Sequence, residues 1–215
     1  MLLQRGDKLV MIGDSITDAG RAYPVGEAVF DGLGKGYVAF IDALLNAAYP
    51  DLGIRVVNMG ISGNTVRDLA ARWQKDVIDQ NPEWVSIMIG TNDVWRQFDR
   101  PMIRESHVYI EEYEETLRRL VDAVKPSLKG LILMTPFFLE PRVDDAMRAK
   151  MDEYGRVVFK IAQEIGAVFV DTQAAFNRIL EHLYPSAIAS DRVHPNPTGH
   201  MVLARAFLTA IGYAW

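Results

Sequence analysis

The chain has 215 residues, which favours one domain over residues 1–215, and a composition that is 49% hydrophobic and 24% charged excludes a disordered chain. Its 23 basic and 28 acidic residues give a net charge of -5 with interspersed signs, which argues against nucleic acid as a partner because phosphate recognition needs a clustered positive face. The lack of cysteine excludes disulfides, thiol nucleophiles and thiolate metal sites.

Short apolar segments along the chain predict buried β-strands. They cover residues 8–13, 54–60, 84–90, 131–135 and 167–172. Other segments repeat apolar residues at three- and four-residue steps, which predicts helices. These cover residues 37–49, 64–80, 108–124, 144–166 and 198–212. Because strands and helices alternate, we expect an α/β fold with a parallel sheet covered on both faces.

Polar or glycine-rich sequences follow each of the first three predicted strands. They read GDSITD at 13–18, NMGISGNT at 58–65 and GTNDVW at 90–95. In an open parallel sheet, ligands bind beyond the carboxyl ends of the strands, near the point where strand order reverses. We therefore expect these three loops to converge on one rim.

The first of these loops carries a candidate nucleophile. Ser15 directly follows the strand in the sequence Gly13-Asp14-Ser15, where a sharp turn would expose its hydroxyl and the following backbone N–H groups. A serine in this position is more often a helix cap than a nucleophile. Both interpretations stay open on this motif alone.

The second and third loops carry candidate hydrogen-bond donors. Gly60 and Gly63 would let a main-chain N–H approach a bound oxygen with no Cβ in the way, although turn geometry alone would also explain both glycines. The side-chain amide of Asn92 offers a different kind of donor, and its alternative role is a turn residue that bonds to its own backbone.

The segment ASDRVHPNPTGH near the end of the chain carries a candidate base. Histidine has an ordinary pKa near ~6.5, so it can accept and return a proton at neutral pH. Asp191 lies three residues before His194 and could hold its Nδ1–H. Pro195 and Pro197 exclude regular helix around His194, whereas we expect His200, in the first turn of the last helix, to pack or bond locally. An isolated histidine would usually be structural. Here it is accompanied by a serine nucleophile, a loop glycine and an asparagine amide as oxyanion donors, and an aspartate that can orient it, which are the groups that acyl transfer requires.

Together, the blocks IGDSITD, NMGISGNT, IGTNDVW and DRVHP resemble the SGNH hydrolases, also called the GDSL-like esterase and lipase superfamily. The blocks are spread along the whole chain, and the sequence departs from the usual pattern at Ile16, where the superfamily has leucine. The resemblance implies a flavodoxin-like three-layer α/β/α sandwich. It further implies a five-stranded parallel sheet in the order 2-1-3-4-5.

The same resemblance implies roles for the candidate residues. Ser15 would be the nucleophile, and Asp191 with His194 would complete a catalytic triad. The oxyanion hole would consist of the Ser15 N–H, the Gly63 N–H and the Asn92 amide. No cofactor and no metal ion are implied.

Longer tracts, including GIRVVNMGISGNTVRDLAARW and WVSIMIGTNDVWRQFD, are similar to the bacterial acetylxylan esterases of this superfamily. Those are small cytoplasmic enzymes that deacetylate xylo-oligosaccharides. The similarity implies a serine esterase that acts on small acetylated carbohydrates through an acetyl-serine intermediate. Other short-chain carboxylesterases, thioesterases and lysophospholipases of the superfamily stay open as alternatives.

Several residues beside the motifs are candidates for substrate binding. Asp14, Trp95 and Arg96 lie next to the predicted nucleophile and oxyanion donor, and an aromatic face there could stack on a sugar ring. Phe137 and Phe138 follow the fourth predicted strand, and for both we favour packing in the core.

The outer surface and the location of the protein can also be predicted. Tyr184 and Trp215 are candidate interface residues, because related esterases often form homo-oligomers. The first residues contain only short apolar runs broken by charge, so we expect no signal peptide, no membrane partner and a cytoplasmic protein.

Two functions of different classes compete with the esterase. A metal-dependent phosphoesterase would bind a cation through Asp14, Asn92, Asp191 and His194, but it would leave Ser15 without a role. A noncatalytic sugar-binding module on the same fold is the second, because a fold does not dictate a function.

Overall fold

The computed structural model of the protein describes residues 1–27 and 30–215. Its parallel strands are β1 (Lys8–Gly13), β2 (Arg55–Asn58), β3 (Trp84–Met88), β4 (Gly130–Met134) and β5 (Val168–Val170). They form one sheet in the order β2-β1-β3-β4-β5. All five predicted strands are confirmed, as is the predicted order.

The described residues contain eight α-helices. They are α1 (Ser15–Asp18), α2 (Tyr37–Ala48), α3 (Val66–Asp76), α4 (Thr91–Asp99), α5 (Ile110–Val124), α6 (Ala146–Ile165), α7 (Thr172–Leu180) and α8 (Pro197–Ala210). The five predicted helices correspond to α2, α3, α5, α6 and α8. The helix predicted to reach residue 80 ends at Asp76, where Val77 leaves helical geometry and a separate 3-10 turn follows at Ile78–Gln80.

The helices cover the sheet in two layers, as the flavodoxin-like prediction requires. Helix α2 packs against α8, and α8 packs against α7 and β5. In the other layer, α3 packs against α5 and α5 packs against α6, which lies over β4 and β5. The central strand β1 is buried on both faces from Leu9 to Ile12, which explains its continuous apolar sequence.

Strand order reverses next to β1, and this reversal places the candidate site. The chain goes from β1 to β2 on one side and then crosses to β3 on the other. The loops that follow β1 and β3 therefore lead away from each other and leave a crevice at the carboxyl ends of the strands.

The loop with His194 is held at its far end by the start of α8. Pro197 occupies the first helical position, where its missing N–H costs no helical hydrogen bond. Asn196 caps the helix by accepting a hydrogen bond from the backbone N–H of Gly199. The loop therefore reaches the crevice from a fixed helix terminus.

Candidate active site

Three side chains from the two ends of the chain form one hydrogen-bonded series. The Ser15 Oγ lies 2.8 Å from His194 Nε2, and His194 Nδ1 lies 2.6 Å from Asp191 Oδ2. The Asp191 carboxylate fixes the tautomer in which Nδ1 carries a proton, so Nε2 is free to accept the serine proton. This is the order of nucleophile, base and orienting carboxylate that the sequence predicts.

The backbone of the same loop fixes the Asp191 carboxylate. Its Oδ1 accepts hydrogen bonds from the backbone N–H groups of Val193 and His194, at 3.0 and 2.8 Å. Burial raises the pKa of Asp191, but the hydrogen bonds from the His194 side chain and from these two N–H groups outweigh burial and lower the pKa below its ordinary value. The carboxylate therefore stays ionised and can stabilise an imidazolium.

Ser15 is the first residue of α1, immediately beyond the end of β1. The helix is capped by Asp14, whose Oδ1 accepts a hydrogen bond from the Ile16 N–H at 2.9 Å. Asp14 thus takes the cap role that was the alternative for Ser15, and it leaves the serine hydroxyl free to face His194.

The Asp14 side chain is buried, which argues against a direct substrate contact, and its substrate-binding role stays a prediction. Burial raises the pKa of Asp14 to about 6, against the opposing effects of the Ile16 N–H and of His194.

The two loop glycines have different roles. A Cβ on Gly60 would lie 2.2 Å from the backbone nitrogen of Asp18, so this glycine permits close packing of the β2 loop on α1. Gly63 has a φ of +82° and open space where a Cβ would stand. The Gly60 N–H already donates to Asn58 Oδ1 at 2.9 Å, so among the two glycines the Gly63 N–H stays the predicted oxyanion donor.

Asn92 lies in the first turn of α4, and its amide is bonded at both ends. The Oδ1 atom accepts a hydrogen bond from the Arg96 guanidinium at 2.8 Å, and Nδ2 donates to the Asn64 carbonyl at 3.1 Å. Because Asn64 follows Gly63 directly, this second bond ties the two predicted oxyanion loops together.

Trp95 lies beside the candidate base, where its ring centroid is 5.8 Å from that of His194. Its role in substrate binding stays a prediction. Arg96 is held within the protein by its bond to Asn92, by an ion pair with Asp99 and by the Trp95 ring, 4.8 Å from its guanidinium carbon. Arg96 thus has several partners within the protein, and its substrate contact also stays a prediction.

The predictions for Phe137, Phe138 and His200 are confirmed. Phe137 and Phe138 are buried in the core. His200 is also buried, and its Nδ1 accepts a hydrogen bond from the Tyr37 N–H at 3.2 Å. Burial, with a smaller effect of the nearby His194, lowers the pKa of His200 to about 4.

Sequence reasoning missed two side chains that hold the loops in place. Asp18 accepts hydrogen bonds from the backbone N–H and the hydroxyl of Ser62, next to Gly63. Arg72 donates to the carbonyls of Gly13 and Met59, at the ends of the first two strands, and to Asn64 Oδ1. Asp18 ends the GDSITD motif and Arg72 lies in the helix after NMGISGNT, but a motif does not show which side chains bond to the neighbouring loops.

Neither a metal-binding cluster nor a membrane-spanning helix is found in the described parts of the chain. Within residues 1–27 and 30–215, no three histidine, cysteine, aspartate or glutamate side chains come together as a group that could hold a metal ion. None of the helices in the described parts of the chain has the length and apolar character needed to cross a membrane.

Residues 11–202 match the model of the GDSL-like Lipase/Acylhydrolase family. The chain belongs to this family. It is 64% identical over 215 residues to the acetylxylan esterase of Geobacillus stearothermophilus, with 100% of this chain and 98% of that protein covered.

Solved structures of relatives have the same fold. The crystal structure of the Geobacillus stearothermophilus esterase matches with a TM-score of 0.99 at 64% identity, covering 100% of this chain and 98% of that one. An α/β hydrolase enzyme from the metagenome of Lake Arreo, Spain, matches with a TM-score of 0.98 at 54% identity, covering 99% and 98% of the two chains. Solved catalytic mutants of the Geobacillus stearothermophilus enzyme replace a serine, an aspartate or a histidine with alanine.

Proposed function

We propose that this protein is a serine esterase that removes acetyl groups from carbohydrate, with acetylated xylo-oligosaccharides as substrates. The observation that carries the proposal is the series of hydrogen bonds from Ser15 through His194 to Asp191. The acetylxylan esterase activity of a relative with 64% identity over the whole chain supports the choice of substrate.

In the first half of the reaction, the Ser15 Oγ attacks the carbonyl carbon of the acetyl ester while His194 Nε2 takes the hydroxyl proton. The negative charge then lies on the carbonyl oxygen, where the N–H groups of Ser15 and Gly63 and the Asn92 amide stabilise it. The bond to the sugar oxygen breaks, and His194 gives its proton to that oxygen. The products are the sugar alcohol and an acetyl ester of Ser15.

In the second half, water takes the place of the sugar alcohol. His194 removes a proton from the water as its oxygen attacks the acetyl-serine carbonyl, and the same donors stabilise the oxyanion. The bond to Ser15 Oγ breaks, Oγ regains a proton from His194, and acetic acid leaves as acetate. Asp191 stabilises the imidazolium in both halves.

The exposure of the site supports a substrate with a bulky, hydrophilic leaving group, such as a sugar alcohol. The side chains of His194 and Asp191 are 46% and 38% exposed. Trp95, beside His194, offers an aromatic face on which a sugar ring could stack. A short acyl group needs no apolar channel, whereas a long acyl chain would gain from one.

A panel of esters tests this function. Acetate release is measured from acetylated xylose and acetylated xylo-oligosaccharides, and p-nitrophenyl acetate is compared with p-nitrophenyl esters of longer acids. We expect acetylated sugars and the acetyl ester to be hydrolysed fastest, with Ser15→Ala as the inactive control. Preference for a long-chain ester would favour the lysophospholipase alternative, and activity that depends on an added metal ion would favour the phosphoesterase.

We further propose a homo-oligomeric, cytoplasmic protein in which residues 1–215 form one domain. Tyr184 and Trp215 support self-association because these large side chains are 84% and 58% exposed. The lack of cysteine supports a reducing compartment. Light scattering coupled to gel filtration tests the assembly, and a mass equal to one chain would contradict it.

A further inference from the structure

The amide of Asn92 lies between two groups of opposite hydrogen-bonding character. Arg96, four residues later on α4, donates to its Oδ1 at 2.8 Å. The Asn64 carbonyl accepts from its Nδ2 at 3.1 Å. Residues four apart on a helix lie one above the other, so the helix itself delivers the guanidinium to the amide.

This pair of contacts permits one orientation of the amide. A guanidinium can only donate, and a backbone carbonyl can only accept. Rotation of the amide by half a turn would bring its NH₂ group against the guanidinium and its oxygen against the Asn64 carbonyl. The observed orientation leaves the second N–H of Nδ2 without an acceptor among the described residues, and this N–H is available for a developing oxyanion.

The charge of Arg96 also strengthens this donor. A cation bonded to an amide oxygen draws electron density from the amide nitrogen, so the N–H becomes more positive. Water screens the effect little, because Asn92 is buried and the Arg96 side chain is only 16% exposed.

Arg96 is itself held in place. An ion pair with Asp99 fixes one terminal nitrogen of the guanidinium, and the other terminal nitrogen bonds to Asn92. The guanidinium carbon lies 4.8 Å from the centre of the Trp95 ring. These contacts restrict the rotamers of the Arg96 side chain. Its guanidinium therefore loses little additional conformational entropy when it bonds to Asn92.

We propose that Arg96 is a positioning residue for ester hydrolysis: it orients and polarises the Asn92 amide so that one N–H points to the oxyanion. This inference rests on the proposed function, in which Asn92 is an oxyanion donor. Since the oxyanion exists only in the transition state, Arg96 should act on kcat and leave substrate binding almost unchanged.

Arg96→Met tests this role, because methionine keeps an unbranched stem but cannot donate. With p-nitrophenyl acetate we expect kcat to fall by roughly 10- to 100-fold, while KM changes by less than about threefold. Arg96→Lys should recover part of the loss, since its ammonium can still donate to Oδ1. Arg100→Met removes a cation from an exposed position at the end of the same helix and should keep wild-type kcat.

A double mutant separates positioning from other roles. When Arg96→Met is added to Asn92→Ala, kcat should change by less than about twofold, because the amide through which Arg96 acts is gone. Two results would overturn the proposal: the full loss recurring in the Asn92→Ala background, or a rise in KM with kcat unchanged, which would mark a substrate contact.

Two complications of this experiment have their own readouts: a variant that does not fold, and an Asn92 that has no oxyanion role. If Arg96→Met fails to fold, Arg96→Leu takes its place, because leucine cannot donate either, and wild-type kcat in that variant would overturn the proposal. If Asn92→Ala itself keeps wild-type kcat, the oxyanion role of Asn92 is wrong, and with it that part of the proposed function. That failure is visible before Arg96 is changed, so the two hypotheses fail separately.

Discussion

The hydroxyl oxygen of Ser15 lies 2.8 Å from Nε2 of His194, although 179 positions separate the two residues in the sequence. Ser15 follows the central strand β1, and His194 lies on the loop that leads into α8. The fold thus brings a nucleophile and a base from opposite ends of the chain within reach of proton transfer. The predictions below follow from this contact and from the groups around it.

Removal of the side-chain oxyanion donor should slow turnover without unfolding the protein. For Asn92→Ala we expect kcat to fall by about 10² to 10³, equivalent to roughly 3 to 4 kcal/mol. Steady-state kinetics on p-nitrophenyl acetate and a thermal melt measure the two effects. Wild-type kcat in a folded Asn92→Ala variant would show that the amide does not stabilise the oxyanion.

Asp191→Asn should slow the reaction while it leaves the loop nearly intact. An asparagine oxygen can still accept from the backbone N–H groups of Val193 and His194, but the charge that stabilises the imidazolium is lost. We expect kcat to fall by roughly 10² to 10⁴. Asp51→Asn, at an exposed carboxylate paired with Arg5, is the matched control and should keep wild-type kcat. An equal loss in both variants would argue against the orienting role.

Activity should depend on one histidine. Because the serine proton needs an acceptor in the site, His194→Ala should abolish kcat/KM. His200→Gln should remain active, since burial lowers the pKa of His200 to about 4 and its ring bonds to Tyr37. His182→Ala, on the surface, serves as the second control. Loss of activity in either control, with His194→Ala active, would reassign the base.

Asp93 should make the protein less stable as the pH rises. Burial raises its pKa to about 7 from an ordinary value of 3.8, so between these values the folded state holds a proton that the unfolded state has lost. The free energy of unfolding therefore decreases as pH increases through this interval. Asp93→Asn, which cannot ionise, should show a flatter dependence of melting temperature on pH. The same slope in wild type and variant would contradict this assignment.

Much of the fold and the site could be predicted because the signals lie in continuous segments. Strands buried on both faces read as apolar runs, and β1 is the clearest example. Asp191 and His194 are three residues apart on a loop stiffened by prolines, so their contact needs no long-range information. The pairing of Ser15 with His194 is a long-range contact, and it followed from the combined motifs and the resemblance that they carry.

The features that could not be predicted are a short helix near the site and the burial of one site residue. Helix α4 has only nine residues and begins with the polar Thr91-Asn92-Asp93, which reads as a loop after β3, so the spacing of Asn92 and Arg96 by one helical turn stays hidden in the sequence. Both were therefore treated as separate loop residues. The position of Asp14 next to Ser15 predicts a substrate contact, whereas the burial of its side chain depends on tertiary packing that the motif does not reveal.

The central claim is that Ser15 is the nucleophile activated by His194, and a fluorophosphonate probe tests it most directly. The probe is added to wild type, Ser15→Ala and His194→Ala, and the modified peptide is located by mass spectrometry. We expect a single adduct on Ser15, which is absent in Ser15→Ala and forms far more slowly in His194→Ala. An adduct on another residue, or hydrolysis of acetyl esters by Ser15→Ala at the wild-type rate, would contradict it.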